Sequence, residues 1–337
     1  MREFLEYQDN RSCPFCRSAK LVTVVAQDDF VREQQMVSGL KQDAHFSLQP
    51  KISYTQQYPA AVIQCADCGL GFRSRTPTIE EQEQTYADEK MSQDYIEAWE
   101  KSWQPIFGRL LTALEKRTKG RGALLDIGSQ FGLFAFLASQ GGWDAYGLDQ
   151  NKYTIERAKQ RGVKFYEGTF TSVQVPDNFY DAVTAWLVFD NLPNFYEETK
   201  KVGRILKEGG LFAIKISNFA FYKNLRNTML SSETGRVIFS RLHLMGFPYQ
   251  YGFTPTTIYN LLNNAGFSGI EVHNYRLTTC VNPQLRPEVV TLERVSKSLI
   301  NTISGGIEIA TGGRVIIGPW LEVYARKKPK AVFHKTD

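Results

Sequence analysis

Between Gly122 and Ser217 short apolar runs alternate with segments of helical periodicity, and this alternation constrains the fold more than any other property of the chain. Ala123 to Ile127, Ala145 to Leu148, Val163 to Tyr166, Tyr180 to Ala185 and Leu211 to Ser217 read as strands. Phe131 to Gln140, Lys152 to Arg161 and Tyr196 to Lys207 read as helices, the last stopped by Gly209-Gly210. Strands separated by helices cannot pair as hairpins, so each crosses over and lies parallel to a neighbour. The chain is therefore expected to be α/β, built on a mostly parallel sheet.

Such a domain needs about 100 to 200 residues, and the chain has 337, so an appendage is expected as well. Apolar residues at 42% supply a sizeable core, and charged residues at 22% exclude a disordered chain. No apolar run approaches the roughly 18 residues of a bilayer span. The opening MREFLEYQDNR lacks the apolar core of a signal peptide. These features predict a soluble, cytoplasmic protein without membrane contact. The net charge of +5 is spread along the chain, apart from Arg326 to Lys330, and does not by itself imply nucleic acid.

Cys13-Pro14-Phe15-Cys16 and Cys65-Ala66-Asp67-Cys68 supply two C-x-x-C hooks, the arrangement that closes four thiolates around zinc. Four sulfur ligands leave no open position, so the expected ion is structural Zn2+ on Cys13, Cys16, Cys65 and Cys68. A thioredoxin-like redox pair and a disulfide pair are the alternatives, and a cytosolic chain disfavours the second. The Gln- and Asp-rich stretch Gln27 to Gln57 shows little apolar periodicity and is expected to be a loop or insertion. Thr78-Ile79-Glu80-Glu81 has the form of a capping box. Tyr95 to Leu114 reads as an amphipathic helix that Pro105 should kink or split. The expected organisation is a zinc-ribbon-like appendage over 1–77, a helical linker or lid over 78–120, and the main domain over 121–330 with a helical insertion near 219–250.

The strongest chemical signal is the buried run Leu124-Leu125-Asp126-Ile127 followed by Gly128-Ser129-Gln130-Phe131-Gly132 and a helix. Glycine lets a ligand approach the backbone, and a helix start offers N–H groups to it. The spacing fails the dinucleotide fingerprint, and Asp126 stands where a pyrophosphate would meet a negative charge. Asp149 closes the next strand, 23 residues on, where a carboxylate accepts from a ribose diol. S-adenosylmethionine, with a diol, a zwitterionic tail and a sulfonium, suits both acids. A plain strand, turn and helix whose glycines merely tighten a bend is the other reading of the same residues.

From about Leu124 to Asn218 the chain resembles a class I S-adenosylmethionine-dependent methyltransferase. The resemblance rests on Leu125-Asp126-Ile127-Gly128 with Gly132, on Gly147-Leu148-Asp149 and on Gly168-Thr169-Phe170. It continues through Phe179-Tyr180-Asp181-Ala182-Val183, Val188-Phe189-Asp190-Asn191-Leu192-Pro193 and Leu206-Lys207-Glu208-Gly209-Gly210. It implies a Rossmann-like seven-stranded sheet with a reversed final strand. The segments Phe253 to Phe267 and Trp320 to Ala325 resemble the closing helix and hairpin. The cofactor set it implies is Asp126, Gly128, Ser129, Gly132, Asp149, Gln150, Thr169 and Phe170. Gln130 stands where the family commonly has glycine, and Thr169 where an aspartate often accepts from the adenine amine. The cysteine leader with Gly69-Leu70-Gly71-Phe72 resembles the zinc ribbon of some bacterial methyltransferases of small-molecule and glycan pathways.

Methyl transfer is an in-line displacement, so positioning and desolvation supply much of the rate. Asp190 and Asn191 are the candidates for catalysis by analogy, with Tyr86, Tyr95 and His243 behind them. Asp190 capping a turn and His243 packing in a helix are the structural alternatives. The aromatic run Phe219, Phe221, Tyr222, Phe239, Phe247, Tyr249, Tyr251 and Phe253 suggests a substrate-side lid or, equally, core. The expected acceptor is a small molecule, sugar nucleotide, glycan or secondary metabolite. An RNA methyltransferase and a cofactor-binding scaffold without turnover are the two rivals.

Overall fold

The computed structural model describes residues 7–41, 59–87, 93–278 and 287–329. The N-terminal part comprises β1 (Tyr7–Asp9), β2 (Leu21–Val25), α1 (Gln27–Lys41), β3 (Val62–Cys65), β4 (Gly71–Arg73) and β5 (Arg75–Pro77). Two helices follow, α2 (Ile79–Ala87) and α3 (Gln93–Glu115). β2, β3 and β4 form an antiparallel sheet whose remaining strand, β11 (Tyr251–Gly252), comes from far along the chain. In that pairing Tyr251 faces Phe72 and Gly252 faces Gly71.

The helix α1 replaces much of the loop expected over Gln27 to Gln57; residues 42–58 lie outside the described set. Its buried face is Phe30, Glu33 and Gln34, at helical spacing but two-thirds polar, so hydropathy does not reveal it. Glu33 is held by the Arg226 Nε at 2.5 Å, the Tyr222 hydroxyl at 3.1 Å and the Gly246 N–H at 2.8 Å. Pro105 lies inside α3 without splitting it. Pro105 and Lys101 are both exposed, so a carbonyl deprived of its partner faces water. Buried Ile106, Phe107, Leu110 and Leu114 hold the helix against the domain.

The central sheet is built from β6 (Ala123–Ile127), β7 (Asp144–Asp149), β8 (Lys164–Glu167), β9 (Tyr180–Trp186), β10 (Leu206–Ser217), β12 (Phe267–Asn274) and β13 (Trp320–Lys327). Its seven strands run in the order β12-β13-β10-β9-β6-β7-β8. β8, β7, β6, β9 and β10 are mutually parallel, and β13 runs antiparallel to both neighbours, which makes it the reversed final strand. Every residue of β6 is buried, as a strand covered on both faces requires. The covering helices are α4 (Leu133–Gln140), α5 (Lys152–Gln160), α6 (Phe195–Ile205) and α9 (Pro255–Asn264). β10 starts at Leu206, earlier than its hydropathy predicts, because Leu206 pairs with Tyr180 before a register shift at Leu211.

Two helices, α7 (Phe219–Leu230) and α8 (Glu233–Arg241), follow β10, and α10 (Pro287–Ala310), which no sequence signal had marked, separates β12 from β13. The aromatic run does not form a lid. Phe219, Tyr222, Phe239 and Phe247 are fully buried and stack on one another between the insertion and the cysteine-bearing part. Among the described residues no helix is long and apolar enough to cross a membrane.

Candidate functional site

β6 lies between β7 and β9, so successive crossovers leave it in opposite directions and open a crevice at the carboxyl ends of these strands. A cavity of about 310 Å³ occupies that crevice. Its floor is the turn after β6. Gly128 takes φ 67°, which only glycine adopts freely, and Gln130 takes φ 47°. Gln130 holds this costly conformation for a reason: its N–H donates to Asp149 Oδ2 at 2.9 Å. The N–H groups of Gly128 and Ser129 both donate to the Leu148 carbonyl, so they serve the turn and not a ligand.

Two acids meet at this cavity. Asp126 is 3% exposed and accepts from the Thr184 hydroxyl at 2.6 Å. Burial pushes its pKa up to about 7, aided by the nearby Asp149 and opposed by the Thr184 and Ser129 hydroxyls. Asp149 accepts from the Gln130 and Asn151 N–H groups, each at 2.9 Å. Burial raises its pKa as well, with these N–H bonds opposing. The Gln150 N–H bonds this carboxylate as well, and of its roughly four lone-pair sites one is left to face a diol.

The structure gathers Asp126, Gly128, Ser129, Asp149, Gln150, Thr169 and Phe170 around this one cavity. Gly132 stands apart from it. A Cβ there would sit 2.7 Å from the Ala158 Cβ, so this glycine seats α4 on α5. Asn191 also lines the cavity, and its carbonyl accepts from Gln82 Nε2 at 2.5 Å. Asp190 does not line it. It is 3% exposed and turned toward the Ser217 hydroxyl, which donates to it at 3.1 Å. Tyr86 reaches the cavity from α2, and its carbonyl accepts from Asn151 Nδ2 at 2.8 Å. The side chain of Tyr95 lies outside the described set, and His243 is exposed past the end of α8.

Sequence reasoning missed two parts of the lining. Trp99, Trp103 and Phe107 form an aromatic wall, with Trp99 and Trp103 stacked at 5.6 Å. Their helical spacing marked a packing stripe, and that stripe also faces the cavity. Glu198 is the other. It occupies the buried face of α6 among Phe195, Thr199, Val202 and Ile205, and an acid on such a stripe is the signal that could have found it.

The four cysteine sulfurs lie within 4.8 Å of one another, with Cys13–Cys68 and Cys16–Cys65 each at 3.5 Å. Zinc–sulfur bonds of about 2.3 Å in a tetrahedron set sulfurs about 3.8 Å apart, so the cluster matches a zinc site in size. Both hooks fold alike. Arg17 and Gly69 follow them in the left-handed region, and their N–H groups donate to the Cys13 and Cys65 carbonyls. The Cys68 carbonyl accepts from the Thr257 hydroxyl of α9 at 2.9 Å, anchoring the hook to the main domain.

Residues 125–214 match the methyltransferase domain family. That methyltransferase domain runs from β6 into β10 and contains both acids of the cavity. Over 76 residues, 20% of each chain, the protein is 34% identical to the sterol 24-C-methyltransferase of Aspergillus fumigatus. It is 28% identical over 132 residues to the ubiquinone/menaquinone biosynthesis C-methyltransferase UbiE of Rhodopseudomonas palustris, covering 34% of this chain and 52% of that one. The chain thus spans a fifth of one curated relative and about half of the other. Among solved structures, a SAM-dependent methyltransferase from Archaeoglobus fulgidus aligns with a TM-score of 0.43 at 18% identity, covering 66% of this chain and 94% of that one.

Proposed function

We propose that the protein is an S-adenosylmethionine-dependent methyltransferase acting on a small molecule in the cytoplasm. The observation that carries this reading is the pair of acids, buried Asp126 and half-buried Asp149, at one cavity on the carboxyl edge of the sheet. A diol on Asp149 and a cationic tail beside Asp126 use both groups, and the family match over 125–214 supports the same cofactor. The acceptor would enter beside Trp99, Trp103 and Trp186, a wall suited to a ligand with an apolar ring face. The names of the two curated relatives, sterol and quinone methyltransferases, agree with such an acceptor. Within the wall, the Trp186 Nε1 donor and the Asn191 Oδ1 acceptor are buried without hydrogen-bond partners among the described residues, available to orient a polar edge.

The chain's own part in the reaction is to position the acceptor and exclude water. The cofactor supplies the electrophilic methyl group when bound. Zn2+ on Cys13, Cys16, Cys65 and Cys68 would be structural, since four thiolates leave no position for a substrate. Such a thiolate site agrees with a reducing compartment.

Calorimetry with S-adenosylmethionine and S-adenosylhomocysteine tests the reading. Binding of both is expected, and Asp149→Ala should weaken it by about 1.5 to 3 kcal/mol, the worth of hydrogen bonds to a charged group. Absence of binding would overturn the proposal; binding with no methylated product from a broad acceptor screen would favour a scaffold.

A further inference from the structure

Glu198 is a third acid in the cavity, and one of its oxygens is an unused acceptor. It is 4% exposed, and its Oε1 accepts from the Thr171 hydroxyl at 2.5 Å. Its Oε2 is buried with no hydrogen-bond partner among the described residues. A buried acceptor left in this state is costly, and a ligand that brings a donor removes the cost.

The location specifies the donor. The loop after β8 starts at Gly168, whose N–H donates to the carbonyl of Asp149 at the end of β7 at 2.8 Å, and continues through Thr169, Phe170 and Thr171. α6 is tied to this loop by Lys201, whose ammonium donates to the carbonyls of Phe170 and Val173. Glu198 lies three residues before Lys201, on the same helical face, and so reaches the loop too. A nucleoside with its diol on Asp149 would extend its base along this loop, between Phe170 and Leu192-Pro193. Thr169 is poorly placed to receive that base. Its hydroxyl donates to Ser172 Oγ at 2.9 Å and accepts from the Ser172 N–H at 3.2 Å, which commits it to its own turn.

We infer that Glu198 Oε2 accepts the exocyclic amine of the cofactor's adenine, so that Glu198 selects adenine over purines without that amine. This rests on the cavity being the S-adenosylmethionine site. It also explains how the chain dispenses with an aspartate at position 169: the acid is supplied by the helix after the fourth parallel strand.

The test is calorimetry of the full-length protein with S-adenosylhomocysteine and with its analogue bearing hydrogen in place of the 6-amine. Wild type should prefer the amine by about ten- to a hundredfold, the range of a hydrogen bond to a charged acceptor. Glu198→Leu should bring the ratio near one, and Glu198→Gln, which keeps an acceptor oxygen, should retain part of it. Because the ratio compares two ligands on the same protein, a general loss of stability does not move it. Should the leucine variant fold poorly, wild type and the glutamine variant still decide. Equal binding of the two ligands by wild type, or an undiminished preference in Glu198→Leu, overturns the assignment while leaving the cofactor reading intact. Failure of wild type to bind either ligand overturns the cofactor reading, and this inference falls with it.

Discussion

Buried acids set the chemistry of this cavity one side chain at a time. Asp126 has its folded pKa pushed up to about 7 by burial, against about 3.9 in an unfolded chain. An acid with a raised pKa holds its proton in the ligand-free state, so ionising it costs free energy as pH rises through this window. A cationic ligand needs the carboxylate and therefore displaces the proton. Affinity for S-adenosylmethionine should rise between about pH 5.5 and 7 with a slope approaching tenfold per pH unit, then level off. Asp126→Asn should flatten that rise, which separates its contribution from those of Asp149 and Glu198, whose pKa values burial also raises. A slope unchanged in the asparagine variant would mean that another group takes up the proton. Asp126 and Asp149 are legible in the sequence because each lies at or next to the end of a strand. Asp190, next to Asn191, is not: a one-residue step around a short turn sends one side chain into the cavity and the other behind its wall.

At the level of elements, the joint between the two sheets depends on close approach. Phe219 is fully buried against the pair Gly71 and Gly252, where an added Cβ would lie 2.4 and 2.5 Å from ring atoms. Gly71→Ala should therefore destabilise the protein by about 1 to 3 kcal/mol, the usual cost of overpacking a filled core. Thermal unfolding would read this loss, and adding Phe219→Leu should recover part of it. A Gly71→Ala protein as stable as wild type would show that the joint yields without cost. Sequence patterns foretold the parallel strands well, since the central ones, β6 and β9, are buried almost throughout and read as continuous apolar runs. They missed α1 because Glu33 and Gln34 make its buried face polar, and they overstated Pro105 because an exposed turn tolerates a lost backbone bond.

For the molecule as a whole, the cysteine cluster and the cavity are mechanically linked. The hook at Cys65 and Cys68 leads into β4 and β5 and then α2, whose Gln82 and Tyr86 line the cavity and bond to Asn191 and Asn151. Removing zinc with a chelator should lower Tm by about 2–4 °C for each kcal/mol that the ion contributes. It should also weaken S-adenosylhomocysteine binding; a chelated protein with unchanged Tm and unchanged affinity would refute a structural role for zinc. By itself the sequence determined the sheet, the glycine turn, the two strand-end acids and the four thiols. These are local properties, written in the period of apolar residues and in spacings of a few positions. Only tertiary structure decided that α2, α3 and α6 wall the same cavity, that Glu198 Oε2 lies buried there without a partner among the described residues, and that β11 pairs with β4 some 180 residues earlier. Such contacts join residues distant along the chain, and their partners are chosen by packing, which no local pattern encodes.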